Sequence, residues 1–178
     1  MTIFSRAKAL GATSALLLTS PLLKAQFAAA AGKGDAGDIK LLDAAVSLER
    51  AAVKAYGDAA ASNLVTPSVL AVLKSFMADH QAHLDALAAA VTQSGATPSA
   101  DTAAVATPQL TTEADILSFA YTIERLAAST YLAAIAQYKN RDLATTAASI
   151  MGVDATHVAL LAEALKRNPA YPNGFITA

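Results

Sequence analysis

The chain has 178 residues, of which 54% are hydrophobic and 15% charged, and its 13 basic residues nearly balance its 14 acidic ones. This composition suits one compact domain with a substantial apolar core, and the lack of a basic excess argues against a nucleic-acid partner. Cysteine is absent, which excludes disulfides, thiolate catalysis, iron–sulfur clusters and cysteine-bound zinc. Any redox-active metal must therefore be held by carboxylates and imidazoles.

The first 31 residues have the features of a secretory signal peptide. Arg6 and Lys8 precede an apolar run from Ala9 to Leu23, and alanines at 29–31 supply small residues for cleavage. The run is too short to cross a bilayer comfortably, so we expect no stable membrane span. No twin arginine is present, which favours Sec-type export, and an organellar transit peptide is the alternative. We therefore expect an exported protein, periplasmic or secreted after removal of the signal.

Residues 32–178 should then form the mature domain, with 10 basic against 14 acidic residues and a net charge of about −4. From Asp38 onward, apolar residues recur at spacings of three and four, and no proline interrupts the periodic segments. The pattern predicts an all-α fold. We place its helices at about 38–62, 67–94, 112–138 and 142–167.

Connection lengths predict the topology of these helices. About four residues separate the first helix from the second and the third from the fourth, so each pair should form an antiparallel hairpin. The 16 residues from Ala96 to Thr111 join the two hairpins. Fully extended, they reach about 50 Å, which exceeds the length of about 40 Å of a helix of about 27 residues. The sequence therefore predicts a four-helix bundle in which a long crossover connects two antiparallel hairpins.

An internal repeat supports this arrangement. The sequence Ser-Leu-Glu-Arg at 47–50, followed by Tyr56, returns as Thr-Ile-Glu-Arg at 122–125, followed by Tyr131. The second and fourth helices also share spaced residues. Ser75, Met77, His83 and Leu87 return as Ser149, Met151, His157 and Leu161. Two similar halves are what a bundle with pseudo-twofold symmetry requires.

Six ionisable side chains lie near the middles of the predicted helices, on faces that are otherwise apolar: Glu49, His80, His83, Glu124, Asp154 and His157. A buried ionisable group costs several kcal/mol unless something compensates it. Residues three apart project from the same side of a helix, so the second and fourth helices can each bring two ligands to one centre. Any one of these residues alone could be a satisfied core group or reach solvent. The joint pattern favours a metal centre at the middle of the bundle.

This pattern resembles the ferritin-like di-metal carboxylate superfamily, and within it the exported bacterial ferritin-like domains and their desiccation-related relatives. That superfamily takes one Glu from the first and third helices and a Glu-x-x-His pair from the second and fourth. The resemblance implies that Glu49 and Glu124 are ligands, together with His83 and His157. It also implies that Asp154 replaces the Glu of the fourth helix. His80 departs from the family pattern, because it stands where the family has a carboxylate that usually bridges two metals.

The departure at His80 affects the expected metal. An imidazole nitrogen has one lone pair, so we expect that His80 does not bridge two ions as a carboxylate does. Three carboxylates also supply one negative charge fewer than two divalent ions carry. The additional nitrogen ligand favours zinc or copper relative to iron and manganese. Two iron ions remain the first expectation from the resemblance. Manganese, zinc, copper and a mononuclear site stay open, as does replacement of His80 by Asp79 if the second helix is rotated.

The resemblance implies a protein that binds metal ions and carries out redox chemistry with dioxygen or peroxide. A ferroxidase or oxidoreductase in stress response or metal handling is the function it suggests. Whether the protein is an enzyme stays open. The alternative is a non-enzymatic structural or stress-protection bundle with a zinc, mononuclear or vestigial site. A homo-oligomer is compatible with either function.

Two further pairs of residues recur in the repeat. Tyr56 and Tyr131 lie two turns after the glutamates on the same faces. For these tyrosines, aromatic packing is favoured over hydrogen bonding to ligands. Arg50 and Arg125 follow the glutamates directly but point about 100° away around the helix. A solvated or interface role is favoured for both arginines over an ion pair behind the ligands.

Overall fold

The computed structural model describes residues 34–167, which form four α-helices and no strand. The helices are α1 (Ala36–Ala61), α2 (Pro67–Gln93), α3 (Glu113–Ile135) and α4 (Arg141–Ala164). The predicted all-α fold class is therefore confirmed. The predicted signal peptide at 1–31 lies outside the described residues.

Three of the four helices begin at a residue whose side chain caps the first turn, and α2 begins with Pro67 at its first position. Asp35 accepts a hydrogen bond from the backbone N–H of Gly37 at the start of α1, so this helix begins two residues before the predicted position. Thr112 and Asp115 form a reciprocal capping box at the start of α3. Asn140 caps α4. Each cap satisfies backbone N–H groups that the first helical turn leaves without an internal partner.

The third helix ends at Ile135, three residues earlier than predicted. The chain then turns so that the Tyr138 side chain lies in the core, where it is 3% exposed. The backbone N–H groups of Lys139 and Asn140 donate to the carboxylate of Asp38, at 2.8 and 2.9 Å. Burial of an aromatic ring and bonds to a buried carboxylate outweigh the local preference for another helical turn.

The crossover between α2 and α3 is anchored to the outside of α1. The Arg50 guanidinium donates to the backbone carbonyls of Ser99 and Asp101, at 2.8 and 3.2 Å. Asp43 accepts from the backbone N–H of Ser99 at 2.7 Å. Further along, Val105 packs against α1 and α3. Arg50 therefore holds the crossover and does not pair with a ligand carboxylate, whereas Arg125 lies 5.9 Å from the Tyr121 ring centroid.

Backbone contacts are most extensive within the hairpins α1–α2 and α3–α4, and α1 also lies beside α3. Two apolar clusters fill the ends of the bundle. One contains Tyr56, Leu73, Phe76, Ile116 and Leu161, and the other contains Leu42, Val46, Leu87, Tyr131 and Ile150. The ionisable side chains lie between these clusters, shielded from water. Among residues 34–167, no helix combines the length and apolar character that a membrane span requires.

Candidate metal centre

The structure brings all six predicted side chains together in the interior of the bundle. None is more than 3% exposed. Their ligand atoms form two overlapping groups, and within each group all atoms lie within 4.8 Å of one another. The first group is Glu49, His80 and His83, and the second is His80, Glu124, Asp154 and His157. His80 belongs to both groups.

His80 lies between the glutamates of the two halves. Its Nδ1 is 2.7 Å from Oε2 of Glu49, and its Nε2 is 3.0 Å from Oε1 of Glu124. The imidazole ring stacks on Tyr56, with ring centroids 5.4 Å apart and planes 26° from parallel. The residue that breaks the family pattern is therefore at the centre of the site, and no rotation of α2 is needed to place it there.

Each glutamate accepts a hydrogen bond from a tyrosine on the other hairpin. Tyr56 of α1 donates to Glu124 of α3, and Tyr131 of α3 donates to Glu49 of α1 at 2.5 Å. Burial raises the pKa of both hydroxyls well above the ordinary value, so they remain donors. Both tyrosines pack in the core, as favoured from the sequence, and they also make the hydrogen bonds to candidate ligands that the sequence analysis held to be the less favoured role. The signal in the sequence was the identical Glu-to-Tyr spacing of seven residues in both halves.

Asp79 contacts the outer nitrogen of His157. Nε2 of His157 is 3.3 Å from Oδ2 of Asp79, and its Nδ1 is 3.3 Å from Oε2 of Glu124. A carboxylate on one ring nitrogen fixes the tautomer and leaves the other nitrogen free to face a metal. Asp79 therefore supports His157 and does not take the place of His80. The sequence analysis missed this role because the internal repeat carried no signal for it. The position equivalent to Asp79 in the other half is Val153.

His83 and Asp154 are the two residues whose polar side-chain atoms are buried without a hydrogen-bond partner in the centre. Nδ1 of His83 is 3.6 Å from Oε1 of Glu49 and 3.9 Å from Oδ1 of Asp154. A buried polar group without a partner costs about 1–3 kcal/mol, and such groups call for an explanation. A cation between them supplies one. Carboxylate oxygens mixed with imidazole nitrogens suit iron, zinc, manganese or copper.

The glutamates are held in the charged form. Burial acts to raise the pKa of Glu49, but the hydrogen bond with His80 and the nearby imidazole of His83 outweigh this effect and lower the pKa to about 2. Burial also opposes ionisation of Glu124, yet the charges of His80 and His157 hold its pKa well below the usual range. Both glutamates are therefore anionic at neutral pH.

The imidazoles and Asp154 complete the charge balance. Against the effect of burial, Glu124 raises the pKa of His157 to about 9 and that of His80 well above its ordinary value. Burial and the nearby Glu124 charge also raise the pKa of Asp154 well above its ordinary value. In the metal-free protein, these shifts favour the charged imidazoles of His80 and His157 beside the anionic glutamates, and they disfavour ionisation of Asp154. Metal binding must displace the protons of these groups.

A groove of about 400 Å³ lies between α1 and α3 and is lined mainly by apolar side chains. Leu48, Leu126 and Tyr131 are among its lining residues, and Leu126 is 42% exposed. Tyr131 also donates to Glu49. One hydrogen bond therefore separates the wall of this groove from the centre.

A family model described as a ferritin-like domain matches residues 37–167, which is most of the chain. The chain belongs to the ferritin-like family. This match agrees with the four-helix fold and with a buried His/Glu cluster that could bind metal.

Two solved structures share the ferritin-like fold. A conserved hypothetical protein, rv2844, from Mycobacterium tuberculosis is 21% identical with a TM-score of 0.66, covering 80% of this chain and 97% of that one. A structure of ferritin-like, diiron-carboxylate proteins from Bacillus anthracis str. Ames is 19% identical with a TM-score of 0.62, covering 72% and 94%. At these identities the similarity establishes the fold alone. No curated protein matches the sequence.

Proposed function

We propose that this ferritin-like protein binds two metal ions, with iron the first choice, and uses them in redox chemistry with dioxygen or peroxide. Oxidation of ferrous iron, in metal handling or stress protection, is the reaction we favour. The observation that carries the proposal is the pair His83 and Asp154, buried without hydrogen-bond partners among four other ligand-type side chains. The similarity to a diiron-carboxylate structure from Bacillus anthracis supports iron.

The residues that would hold the ions are Glu49, His80, His83, Glu124, Asp154 and His157. When bound, iron would supply reversible one-electron transfer. The tyrosine hydroxyls orient the two glutamates, and Asp79 orients His157. The apolar clusters at both ends of the bundle exclude water, which strengthens every charge interaction inside.

Metal content and iron oxidation test this function. Protein purified from its native compartment should contain iron, and metal-free protein loaded anaerobically with ferrous iron should develop a ferric absorption band on exposure to oxygen. Asp154→Asn should reduce the band strongly. Asp85→Asn is the matched control, because Asp85 is an exposed carboxylate on α2 that accepts from Gln81. Absence of the band in the unaltered protein would exclude the ferroxidase function.

We also propose that the protein is exported and that its N-terminal segment is removed. The basic residues, apolar run and small residues of the first 31 positions support this. The mature protein isolated from its source should begin near residue 32, and N-terminal sequencing measures this directly. A retained first segment would contradict export through signal cleavage.

A zinc-bound structural role is the second candidate. The observation that favours it is His80, which gives the centre three imidazoles against three carboxylates and thus softer ligation than four carboxylates would. In this case the isolated protein contains zinc, zinc raises the thermal unfolding temperature, and no ferric band forms after iron loading. Iron as the native metal together with oxygen-dependent ferric absorption would rule it out.

A further inference from the structure

His80 faces two different sets of ligands with its two ring nitrogens. Its Nδ1 lies beside Glu49 in the group completed by His83, and its Nε2 lies beside Glu124 in the group that includes Asp154 and His157. We propose that His80 bridges the two metal ions as an imidazolate, with each ring nitrogen binding one ion. This inference rests on the proposed metal function and specifies how the two ions are joined.

The surroundings of the His80 ring keep both nitrogens aimed at their groups. The ring is fully buried and stacks on Tyr56 at 5.4 Å between centroids. It meets His83 and His157 edge-on, at 5.8 and 5.9 Å. A ring enclosed in this way by three other rings cannot turn freely within the core. The direction of both nitrogens is therefore a property of the packing.

Charge balance favours the imidazolate form. The carboxylates of Glu49, Glu124 and Asp154 supply three negative charges, one fewer than two divalent ions need. An imidazolate supplies the fourth. A buried centre is costly to leave unneutralised, so a deprotonated His80 does what the bridging carboxylate of the family pattern would do. A single imidazole nitrogen does not bridge two ions, which is why the sequence predicted no bridge at His80. The ring has two nitrogens, however, and each can bind one ion.

The binding step transfers no electrons. Each His80 nitrogen would give its lone pair to one ion; the ring protons of His80, the second ring proton of a charged His157 and the carboxyl proton of Asp154 would pass to water, and no bond between heavy atoms would break. His83 and His157 each bind through one nitrogen and keep a proton on the other. Nε2 of His157 is positioned to donate this proton to Asp79. The loaded centre should therefore carry two imidazole N–H protons in total.

A zinc titration followed by nitrogen NMR tests the bridge. The histidine signals can be counted, because the whole chain contains only three histidines. The full chain, labelled with ¹⁵N, is titrated with zinc alone while bound metal is counted by elemental analysis. Two zinc ions per chain with two ring N–H signals, and one histidine with both nitrogens in the metal-bound range, is the expected result. Two zinc ions with three ring N–H signals would overturn the bridge and leave the two-metal site standing. One zinc per chain would also overturn the bridge.

Variants assign the bridging histidine. His80→Gln should keep two ring N–H signals, from His83 and His157. It should weaken the affinity for the second zinc ion by more than about tenfold. Circular dichroism and thermal unfolding check that this variant folds, and the unaltered protein decides the question if it does not. Loss of a ring N–H signal in the His80 variant would contradict the assignment. Failure of any metal to bind would instead remove the proposed function itself.

Discussion

The two hairpins of the bundle are alike at the glutamates and different at the pairs that face them. Glu49 with Tyr131 and Glu124 with Tyr56 are related by the internal repeat, and each pair spans α1 and α3. By contrast, His80 corresponds to Asp154 in the repeat. The two glutamate–tyrosine hydrogen bonds, which are equivalent, join the hairpins. The difference between His80 and Asp154 sets the charge and the ligand types of the centre.

The asymmetry in α2 is compensated by the other hairpin. His80 contacts Glu124, and Asp79 contacts His157. The position equivalent to Asp79 is Val153, so His83 receives no matching support in the repeat. A bundle built from two similar halves thus has two unequal groups of ligand-type side chains, one of which has its histidine held by a carboxylate.

Removing the negative charge of either glutamate should have the largest effect on stability. It tests whether the two halves of the bundle are energetically equivalent. Glu49→Gln and Glu124→Gln each remove one of the two buried carboxylates that hold His80, so each should destabilise the metal-free protein by about 3–5 kcal/mol. Urea unfolding after chelator treatment measures this. Glu163→Gln, on the exposed surface of α4, is the control. A difference between the two site variants as large as the effect itself would refute energetic equivalence of the halves.

The pH dependence of the metal-free protein tests the charges around His157. Its pKa is raised from 6.5 to about 9, so the stability it contributes is full below pH 6.5 and is lost as the pH rises through 9. The loss should be on the order of 3 kcal/mol. Urea unfolding at a series of pH values measures the slope. The slope should be smaller in His157→Gln, and an unchanged slope there would contradict the assignment.

The tyrosine bonds should contribute equally in the two halves. Tyr56→Phe and Tyr131→Phe each remove a hydrogen bond to a charged carboxylate, which should cost about 1.5–3 kcal/mol. Tyr121→Phe is the control, because the Tyr121 ring packs with Arg125 and Arg167. Thermal unfolding compares the three. If the site variants lose no more stability than the control, the two bonds are energetically unimportant.

The support of His157 by Asp79 should give the smallest of these effects. Asp79→Asn should reduce metal affinity by about 10- to 100-fold while the fold is retained. Competition with a chelator of known affinity measures the change, with Asp85→Asn as the control on the same helix. Equal affinities in the two variants would show that the difference between the halves at this position has no influence on binding.

The sequence by itself determined the four helices, their antiparallel pairing and the set of side chains that share the interior. These features depend on local rules. Apolar periodicity selects the buried face, caps such as Thr112 with Asp115 start a helix, and a spacing of three places His80 and His83 on one side. The length of the crossover then left one economical way to connect the hairpins.

Only the tertiary structure decided which side chains meet across the bundle. The rotation of each helix determines that Tyr56 reaches Glu124, that Asp79 lies behind His157, and that His80 faces both ligand groups. Burial of Tyr138 likewise ended α3 early. These contacts join residues far apart in the chain. Their distances depend on packing among four helices, which no local pattern encodes.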